Sequence, residues 1–283
     1  MIRFHMFWTL APLMLLSGCA LDGFSAQETV CKTGVGSDDS SAVASDGAGD
    51  HGTYLEGLSV AAIEAGTFLM GSEEGHAHRH DDEALHETEL TRGFFIGETE
   101  VTQAQFRAYA GYDPVIYNAD CGDCPVQEVS WDESAAFTNA MSDVHGLERC
   151  YDCEGEGLDV WCQARMNPYE CSGYRMPTEA EWEYAANGGE MFEYPASDNL
   201  DEVGWWKENS GMAMQSVGLL SPNGFGLYDM AGNVREFVND WYANHPGGAQ
   251  VDPWLGRADV DPNGINHEPV ARAVEKGGSF ACM

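Results

Sequence analysis

Cysteine is the residue type with the most obvious chemistry in this chain, because a thiolate can bind a metal, form a disulfide or carry a lipid. Nine cysteines occur, and six of them cluster in the middle of the sequence, namely Cys121, Cys124, Cys150, Cys153, Cys162 and Cys171. An even cluster in an exported chain indicates disulfides. The alternative is a zinc site, since the pairs Cys121-x-x-Cys124 and Cys150-x-x-Cys153 have spacings suited to thiolate ligands. Which cysteines pair is not readable from their order.

The N-terminus predicts an exported lipoprotein. Arg3 and His5 precede an apolar run over residues 7–16, which is too short to span a bilayer but typical of a signal peptide. The sequence Leu-Ser-Gly-Cys that ends at Cys19 resembles a bacterial lipobox, in which the cysteine is acylated and the preceding peptide is removed. We therefore expect residues 1–18 to be a lipoprotein signal peptide and Cys19 to anchor the protein to a membrane. The mature protein would then lie on the periplasmic or cell-surface side of that membrane.

The charge of the chain is strongly acidic, with 47 acidic residues, 13 basic residues and a net charge of −34. Such a surface repels phosphate backbones, so nucleic acid is excluded as a partner. It suits hard cations such as calcium, which take oxygen ligands, although surface acid also serves solubility alone. Four histidines could bind zinc or copper, but the acidic residues around them favour a solvated loop; they are His76, His78, His80 and His86.

The chain divides into a tether and one globular domain. Residues 19–57 are rich in Gly, Ser, Asp and Ala and bury too little apolar surface to fold, so we expect a flexible tether. From residue 58 to residue 283 the pattern is globular, with strands predicted over residues 63–71 and 94–97. Three capping boxes predict helices over residues 102–109, 131–145 and 179–186. Their start signals are the pairs Thr102/Gln105, Ser130/Glu133 and Thr178/Glu181.

Several long motifs in order along the chain resemble one known family. They are AGTFLMGS at residues 65–72, GETEVT at 97–102, YRMPTEAEWEYA at 174–185, PNGFGLYDMAGNVREF at 222–237 and KGGSF at 276–280. Together they resemble the formylglycine-generating enzyme, or sulfatase-modifying factor, family over about residues 60–282. The resemblance implies an α+β, C-type-lectin-like fold with little regular secondary structure.

The resemblance also implies an oxidase site. The enzymes of the family oxidise a cysteine of a sulfatase to formylglycine with O₂, using copper(I) held by two thiolates, a soft ion on soft ligands. Cys282 matches the first of these cysteines, and Ser279 belongs to the Gly-Gly-Ser motif before it, so both are candidate catalytic residues. The second thiolate is expected five residues later, past Met283, and would be missing. Arg235 stands where the family usually has Trp, which further weakens the oxidase interpretation.

A calcium site is the other implication of the resemblance. Its expected ligands are the side chains of Asp229 and Glu236 and the carbonyls of Gly232 and Val234, a mixture of carboxylate and backbone oxygens that suits calcium. Asn209 and Ser210 match the first two ligands of a second calcium site in the family, but the segment that would supply the others is shortened before Pro222.

Two functions follow, because family membership does not by itself settle activity. The first is formylglycine-generating oxidation of a sulfatase-like protein or peptide substrate. The second is a non-catalytic, calcium-stabilised binding or accessory module on the cell surface. A calcium-dependent melting temperature with no oxygen consumption would favour the second.

Overall fold

The computed structural model describes residues 58–75, 79, 83–114, 121–190, 192–243, 248–257 and 272–281, together with the backbone of residues 5–6. Over these residues the chain forms short strands, four α-helices and two 3₁₀ turns. The strands are β1 (His5–Met6), β2 (Val60–Ile63), β3 (Gly66–Met70), β4 (His86–Leu90), β5 (Phe94–Gly97), β6 (Tyr151–Glu154), β7 (Trp161–Ala164), β8 (Gly204–Trp205), β9 (Ala231–Gly232), β10 (Glu236–Trp241), β11 (Gln250–Val251) and β12 (Ala273–Lys276). The α-helices are α1 (Gln103–Ala110), α2 (Trp131–Val144), α3 (Glu179–Asn187) and α4 (Leu200–Val203), and the 3₁₀ turns are Gly157–Asp159 and Pro168–Glu170.

The first three helices begin at the predicted capping boxes, which confirms those predictions. At each start the Ser or Thr hydroxyl accepts a hydrogen bond from the backbone N–H three residues later, and the Glu or Gln side chain there accepts one from the cap. This exchange satisfies two backbone donors that a helix start otherwise leaves without an acceptor. The left-handed residues Gly111 and Gly188 end α1 and α3. The short helix α4 was not predicted.

The strands pair across long stretches of sequence. β2 pairs with β5 and β3 pairs with β4, both antiparallel, while β11 adds to β4 in parallel and β1 adds to β5. The predicted strand over residues 94–97 is confirmed as β5, and the one over residues 63–71 is confirmed only for Gly66–Met70, because Ile63 ends a strand of another sheet. A further pair, β10 with β12, joins the middle of the domain to residues 273–276.

All six clustered cysteines form disulfides. Cys121 pairs with Cys124, and the other two bridges are Cys150–Cys171 and Cys153–Cys162. The disulfide prediction is confirmed and the zinc alternative is wrong, because each sulfur is already bonded to another. The Cys153–Cys162 bridge links directly opposite residues of β6 and β7, so it fixes a two-stranded ribbon that is too small to be stable alone.

The core lies between these elements in two main clusters. One surrounds α2, where the rings of Phe106 and Phe137 stack at 5.2 Å between centroids. The other packs α3 against the sheets of β3 and β5. Between the two lies a buried ion pair, in which the Arg175 guanidinium donates two hydrogen bonds to the Glu181 carboxylate at 2.8 and 2.9 Å. Regular helices and short strands in one domain agree with the α+β class that the sequence predicts.

Several predictions concern residues outside this description. The lipidation site Cys19, the tether over residues 19–57, the copper ligand Cys282 and three of the four histidines are among them. The fourth histidine, His86, lies in β4, is 5% exposed and contacts the Ala84 carbonyl through Nδ1 at 2.8 Å, so a solvated loop is wrong for it. Within the described ranges, no helix has the length and apolar character needed to cross a bilayer.

Candidate functional site

The expected calcium ligands lie in the segment over residues 229–236, a tight turn that contains the short strand β9 and ends at the first residue of β10. Three of its residues have left-handed backbone, with φ of 56° at Asp229, 78° at Gly232 and 51° at Asn233. Glycine is required at 232, because a Cβ there would lie 2.1 Å from the Trp205 carbonyl oxygen. Such repeated left-handed conformations fold the backbone sharply, so carbonyls of neighbouring residues can face a common point.

The carbonyl oxygens of Met230 and Val234 both lie near Gly277. A Cβ built on Gly277 would lie 3.8 Å from the Met230 oxygen and 3.9 Å from the Val234 oxygen. Gly277 is left-handed as well, with φ of 86°, and its own carbonyl accepts a hydrogen bond from the Gly232 N–H at 2.6 Å. The left-handed backbone at residue 277 therefore favours glycine, and its carbonyl connects this segment to the turn.

Both expected carboxylate ligands are buried beside this turn. Asp229 is 2% exposed, and its Oδ2 accepts a hydrogen bond from the Gly218 N–H at 2.7 Å. Glu236 is fully buried, and its Oε2 accepts one from the Trp182 indole N–H at 3.0 Å. Burying a carboxylate is unfavourable unless charge or hydrogen bonds compensate for the lost water. Carboxylate oxygens and backbone carbonyls are the kinds of ligand that calcium takes, so the residue types of this turn fit that ion.

A third buried carboxylate, Glu100, holds the turn from a distance of 133 residues in the sequence. Its Oε2 accepts a hydrogen bond from the Asn233 amide at 2.7 Å, and its Oε1 accepts one from the Val234 N–H at 3.1 Å. The Asn233 side-chain oxygen in turn accepts the Gln215 N–H at 3.0 Å. Sequence reasoning missed Glu100 as a site residue, although it lies in the GETEVT motif, because nothing local connects it to the turn.

The glycine-rich segment at residues 277–280 lies along the same turn. The Phe280 N–H donates to the Asn233 carbonyl at 2.7 Å, and the Phe280 carbonyl accepts the Ser210 hydroxyl at 3.0 Å. Ser279 is half-buried on this segment. The structure therefore places Ser279 in a segment that contacts the turn through its neighbour Phe280, while Cys282 is two residues past Phe280 and lies outside the described residues.

Asn209 and Ser210, the expected ligands of a second calcium ion, act here as hydrogen-bonding residues of their loop. The Asn209 amide donates to the Gly204 carbonyl at 2.9 Å, and its oxygen accepts the Trp206 N–H at 2.8 Å. The Ser210 oxygen accepts the Met212 N–H at 3.1 Å while donating to Phe280. The second calcium site stays a prediction.

Lys276, which precedes the two glycines, forms ion pairs with two carboxylates of α3. Its ammonium lies 2.9 Å from Glu183 and 3.2 Å from Glu179. Burial opposes the charged form, but the Glu183 and Glu179 carboxylates outweigh it and raise the pKa of Lys276 above its ordinary value. Arg235, at the position of the family's usual Trp, is exposed and pairs with Glu275 at 3.2 Å. Over the described residues, no group of three or more His, Cys, Asp or Glu side chains is arranged to hold a metal ion.

Known proteins of one family match most of this chain. A model of the sulfatase-modifying factor enzyme 1-like domain matches residues 55–283. A protein of Paenibacillus barcinonensis named chaperone protein LppX is 32% identical over 224 residues, covering 68% of this chain and 79% of that protein. A formylglycine-generating enzyme of Streptomyces coelicolor is 29% identical over 262 residues, covering 78% of each chain.

Solved structures show the same fold. Treponema denticola variable protein 1 is 28% identical, with a TM-score of 0.66 over 80% of this chain and 85% of that one. PvdO from Pseudomonas aeruginosa is 21% identical, with a TM-score of 0.54 over 78% of this chain and 82% of that one. The second likeness concerns the fold alone, and together they confirm the fold class that the motifs implied.

Proposed function

Because the chain belongs to the sulfatase-modifying factor family, we propose that it is a calcium-stabilised binding or accessory module, tethered through a lipid on Cys19 to the outer side of a bacterial membrane. The observation that carries this proposal is the turn over residues 229–236. This turn carries two buried carboxylates, those of Asp229 and Glu236, in a domain with little regular secondary structure.

The residues of the turn have separate parts in this proposal. Asp229 and Glu236 would bind the ion with their carboxylates, and Gly232 and Val234 with their carbonyls. Glu100 and Asn233 position the backbone of the turn through the 2.7 Å amide contact, without being ligands themselves. The ion supplies positive charge that offsets the burial of two carboxylates. Loops with few regular hydrogen bonds would gain the most stability from a bound ion of this kind.

The relatives support an accessory role as well as an enzymatic one. The Paenibacillus protein carries the name of a chaperone, and that name favours a module acting on or beside another exported protein. The acidic surface and the predicted lipid anchor fit such a place outside the cytosol.

Formylglycine-generating oxidation is the second candidate, favoured by the position of residues 277–280 against the turn and by the named enzymes among the relatives. Copper(I) chemistry of this kind needs free thiolates. Every cysteine in the described ranges is in a disulfide, so the reaction would depend on Cys282 and on a second thiol. The described residues do not provide a copper site.

Calcium binding is tested with the full chain, which is purified in detergent, stripped of metal and then titrated with calcium. Calcium at about 100 times its dissociation constant is expected to stabilise by about 2.7 kcal/mol, which corresponds to a melting temperature roughly 5–11 °C higher for a domain of this size. Asp229→Ala should remove this response. Asp159→Ala, which changes an exposed aspartate of a 3₁₀ turn, should keep it.

The decisive readout is the response to calcium, because Asp229→Ala also removes the acceptor of the Gly218 N–H. Absence of calcium in metal analysis of the folded protein, with a melting temperature indifferent to chelator, would refute the proposal. Oxygen consumption with copper(I) and a cysteine-containing peptide tests the second candidate. We expect none; consumption that disappears in Cys282→Ser would establish the oxidase in its place.

A further inference from the structure

The two-stranded ribbon of β6 and β7 carries an exposed tryptophan beside an exposed carboxylate. Trp161 is 46% exposed, and the residue directly opposite it in the ribbon is Glu154, which is exposed as well. Opposite residues of an antiparallel pair point to the same side, with their Cβ atoms about 4.5–5.5 Å apart. The indole and the carboxylate therefore lie next to each other on one face of the ribbon, which we call the outer face.

Part of this indole already binds a cation. The guanidinium of Arg257 lies over the ring of Trp161, 5.4 Å from its centroid. The same guanidinium lies 4.3 Å from the ring centroid of Trp241 and 5.4 Å from that of Trp131, but these two side chains are 6% and 4% exposed. Of the three rings around Arg257, that of Trp161 therefore keeps a large surface open to solvent.

A second cation would meet the same chemistry on this open surface. The face of an aromatic ring attracts a guanidinium or ammonium group, and Trp does so most strongly. Arg257 is committed elsewhere, because its guanidinium donates to both carboxylate oxygens of Asp132, at 2.9 and 3.1 Å. Over the residues that the structure describes, no ion pair or hydrogen bond engages the Glu154 side chain. The outer face thus offers a cation both a ring and a carboxylate.

The backbone of the ribbon is held in one conformation. The Cys153–Cys162 bridge joins its strands, and the backbone of Cys162 donates to Asp132 and accepts from Arg257, both at 2.7 Å. In the connecting turn, Gly155 has a φ of 83°, and a Cβ there would lie 2.6 Å from a backbone oxygen. A surface that is already ordered loses little entropy on binding, which favours affinity.

The surroundings of Trp161 indicate the chemistry of the partner. Leu158, in the turn of the ribbon, is 76% exposed. The charged residues of the ribbon and its turn are all acidic and exposed, namely Asp152, Glu154, Glu156 and Asp159. Complementary charge selects a basic partner and repels an acidic one. A second copy of this chain fits poorly, because most of the basic residues that the structure describes form ion pairs within the chain, namely Arg107, Arg149, Arg165, Arg175, Arg235, Arg257 and Lys276.

We propose that the outer face of the β6–β7 ribbon binds an arginine of another exported polypeptide, with its guanidinium stacked on Trp161 and paired with Glu154. An apolar side chain beside that arginine contacts Leu158. This inference rests on the binding role proposed above and names the surface and the partner chemistry for it, but it does not involve the calcium turn.

The first experiment measures binding of a short synthetic peptide of alternating arginine and leucine to the full chain in detergent, by fluorescence anisotropy of a dye on the peptide. Trp161→Ala should raise the dissociation constant by about fivefold or more, as for other aromatic residues at the centre of an interface. Glu154→Gln should raise it by about twofold, as for an exposed ion pair. Replacing the arginines of the peptide with glutamine should weaken binding by about fivefold or more.

The matched controls change similar side chains elsewhere. Phe192→Ala removes an aromatic ring that is 48% exposed, and Glu208→Gln removes an exposed carboxylate of another loop. Both should bind the peptide as the natural chain does. Undetectable binding by the natural chain, equal losses in the controls, or equal binding of the arginine and glutamine peptides would each overturn the proposal. Glu154→Gln changes only an exposed charge, so it decides the matter if Trp161→Ala does not fold.

The second experiment uses the natural chain and a peptide with lysine in place of arginine. Carbodiimide joins a lysine amine to a carboxylate in contact with it, and peptide mapping should find the link mainly at Glu154 and far less at Glu208. An even spread over exposed carboxylates would contradict the proposal. A link between Glu154 of one copy and Lys207 of another, formed without peptide, would show self-association in its place.

A lipid surface is the remaining occupant to be tested. In the chain anchored to vesicles of brominated phosphatidylcholine, quenching of tryptophan fluorescence that is lost in Trp161→Phe would show that the ribbon inserts into lipid and would overturn the proposal. We expect the same quenching in both chains. A response of the melting temperature to calcium that persists while the peptide fails to bind would refute this inference alone and leave the calcium proposal standing.

Discussion

Arg175 and Glu181 form a fully buried ion pair, with the two side chains 0% and 1% exposed. Replacing Arg175 with Met removes two hydrogen bonds to the carboxylate and a third, at 3.1 Å, to the Met176 carbonyl. The carboxylate keeps the Thr178 N–H at 2.8 Å as a donor. Removing one partner of such a pair leaves a buried charge without compensation and typically costs about 3–5 kcal/mol.

The free energy of unfolding of Arg175→Met should therefore fall by about 3–5 kcal/mol, and the melting temperature by roughly 6–20 °C for a domain of this size. Denaturant titration followed by tryptophan fluorescence measures this, with the disulfides kept oxidised. The control is Arg149→Met, since Arg149 and its partner Asp143 are 57% and 46% exposed and such pairs contribute less than about 1 kcal/mol.

The double variant Arg175→Met, Glu181→Met separates charge from packing. It removes the buried carboxylate along with the guanidinium, so part of the lost stability should return, although the Thr178 cap also loses its acceptor. If Arg175→Met costs no more than Arg149→Met, the pair is not the buried, desolvated unit that the contacts describe. If the double variant is less stable than the single one, the stability lost in Arg175→Met comes from packing and capping rather than from the unpaired charge of Glu181.

Two further predictions concern single side chains. Burial, with the nearby Glu179 carboxylate, raises the pKa of Asp240 from 3.8 to about 8, so between these values the folded protein holds a proton that the unfolded chain releases. The free energy of unfolding should therefore fall by up to about 1.4 kcal/mol per pH unit as pH rises from 4 to 8. In Asp240→Asn this dependence on pH should be weaker, which denaturant titrations at pH 4, 6 and 8 would measure. Gly232→Ala should destabilise far more than Gly111→Ala in thermal melts, because both residues have nearly equal positive φ but only position 232 has a backbone oxygen 2.1 Å from the added Cβ.

Each of these predictions has an outcome that contradicts it. An unchanged pH slope in Asp240→Asn would mean that another group titrates between pH 4 and pH 8. Equal losses in the two glycine variants, each near the ~1 kcal/mol expected for Ala with positive φ, would mean that the turn relaxes away from Trp205 and is not fixed as described.

Local signals in the sequence were sufficient for the three longer helices and for β5, and insufficient for the division between β2 and β3. A capping box is made by two residues three apart, so Ser130 and Glu133 identify the start of α2 without reference to the rest of the chain. A strand is defined by its partner. The apolar run from Ile63 to Gly71 carries no mark of the change of sheet between Ile63 and Gly66, because the partners β5 and β4 come later in the chain.

In the candidate site too, the residues of one contiguous motif could be predicted, and the contacts between distant parts of the chain could not. The turn over residues 229–236 is contiguous, and its motif identified Asp229 and Glu236 together. Glu100 bonds to Asn233 from 133 residues away, and the bridge from Cys150 to Cys171 passes over another pair of cysteines. Such contacts are decided by the packed fold, in which polar groups must find partners wherever the chain brings them. No spacing within the sequence encodes them.

The pairing of β10 with β12 has a consequence for the order of events when the protein is made. The turn over residues 229–236 is completed by the Gly277 carbonyl and the Phe280 N–H, which are synthesised more than forty residues after it. Until that late segment arrives, Gly232 and Asn233 lack two of their backbone partners. The growing chain therefore carries this turn without those two contacts until residue 280 has been synthesised.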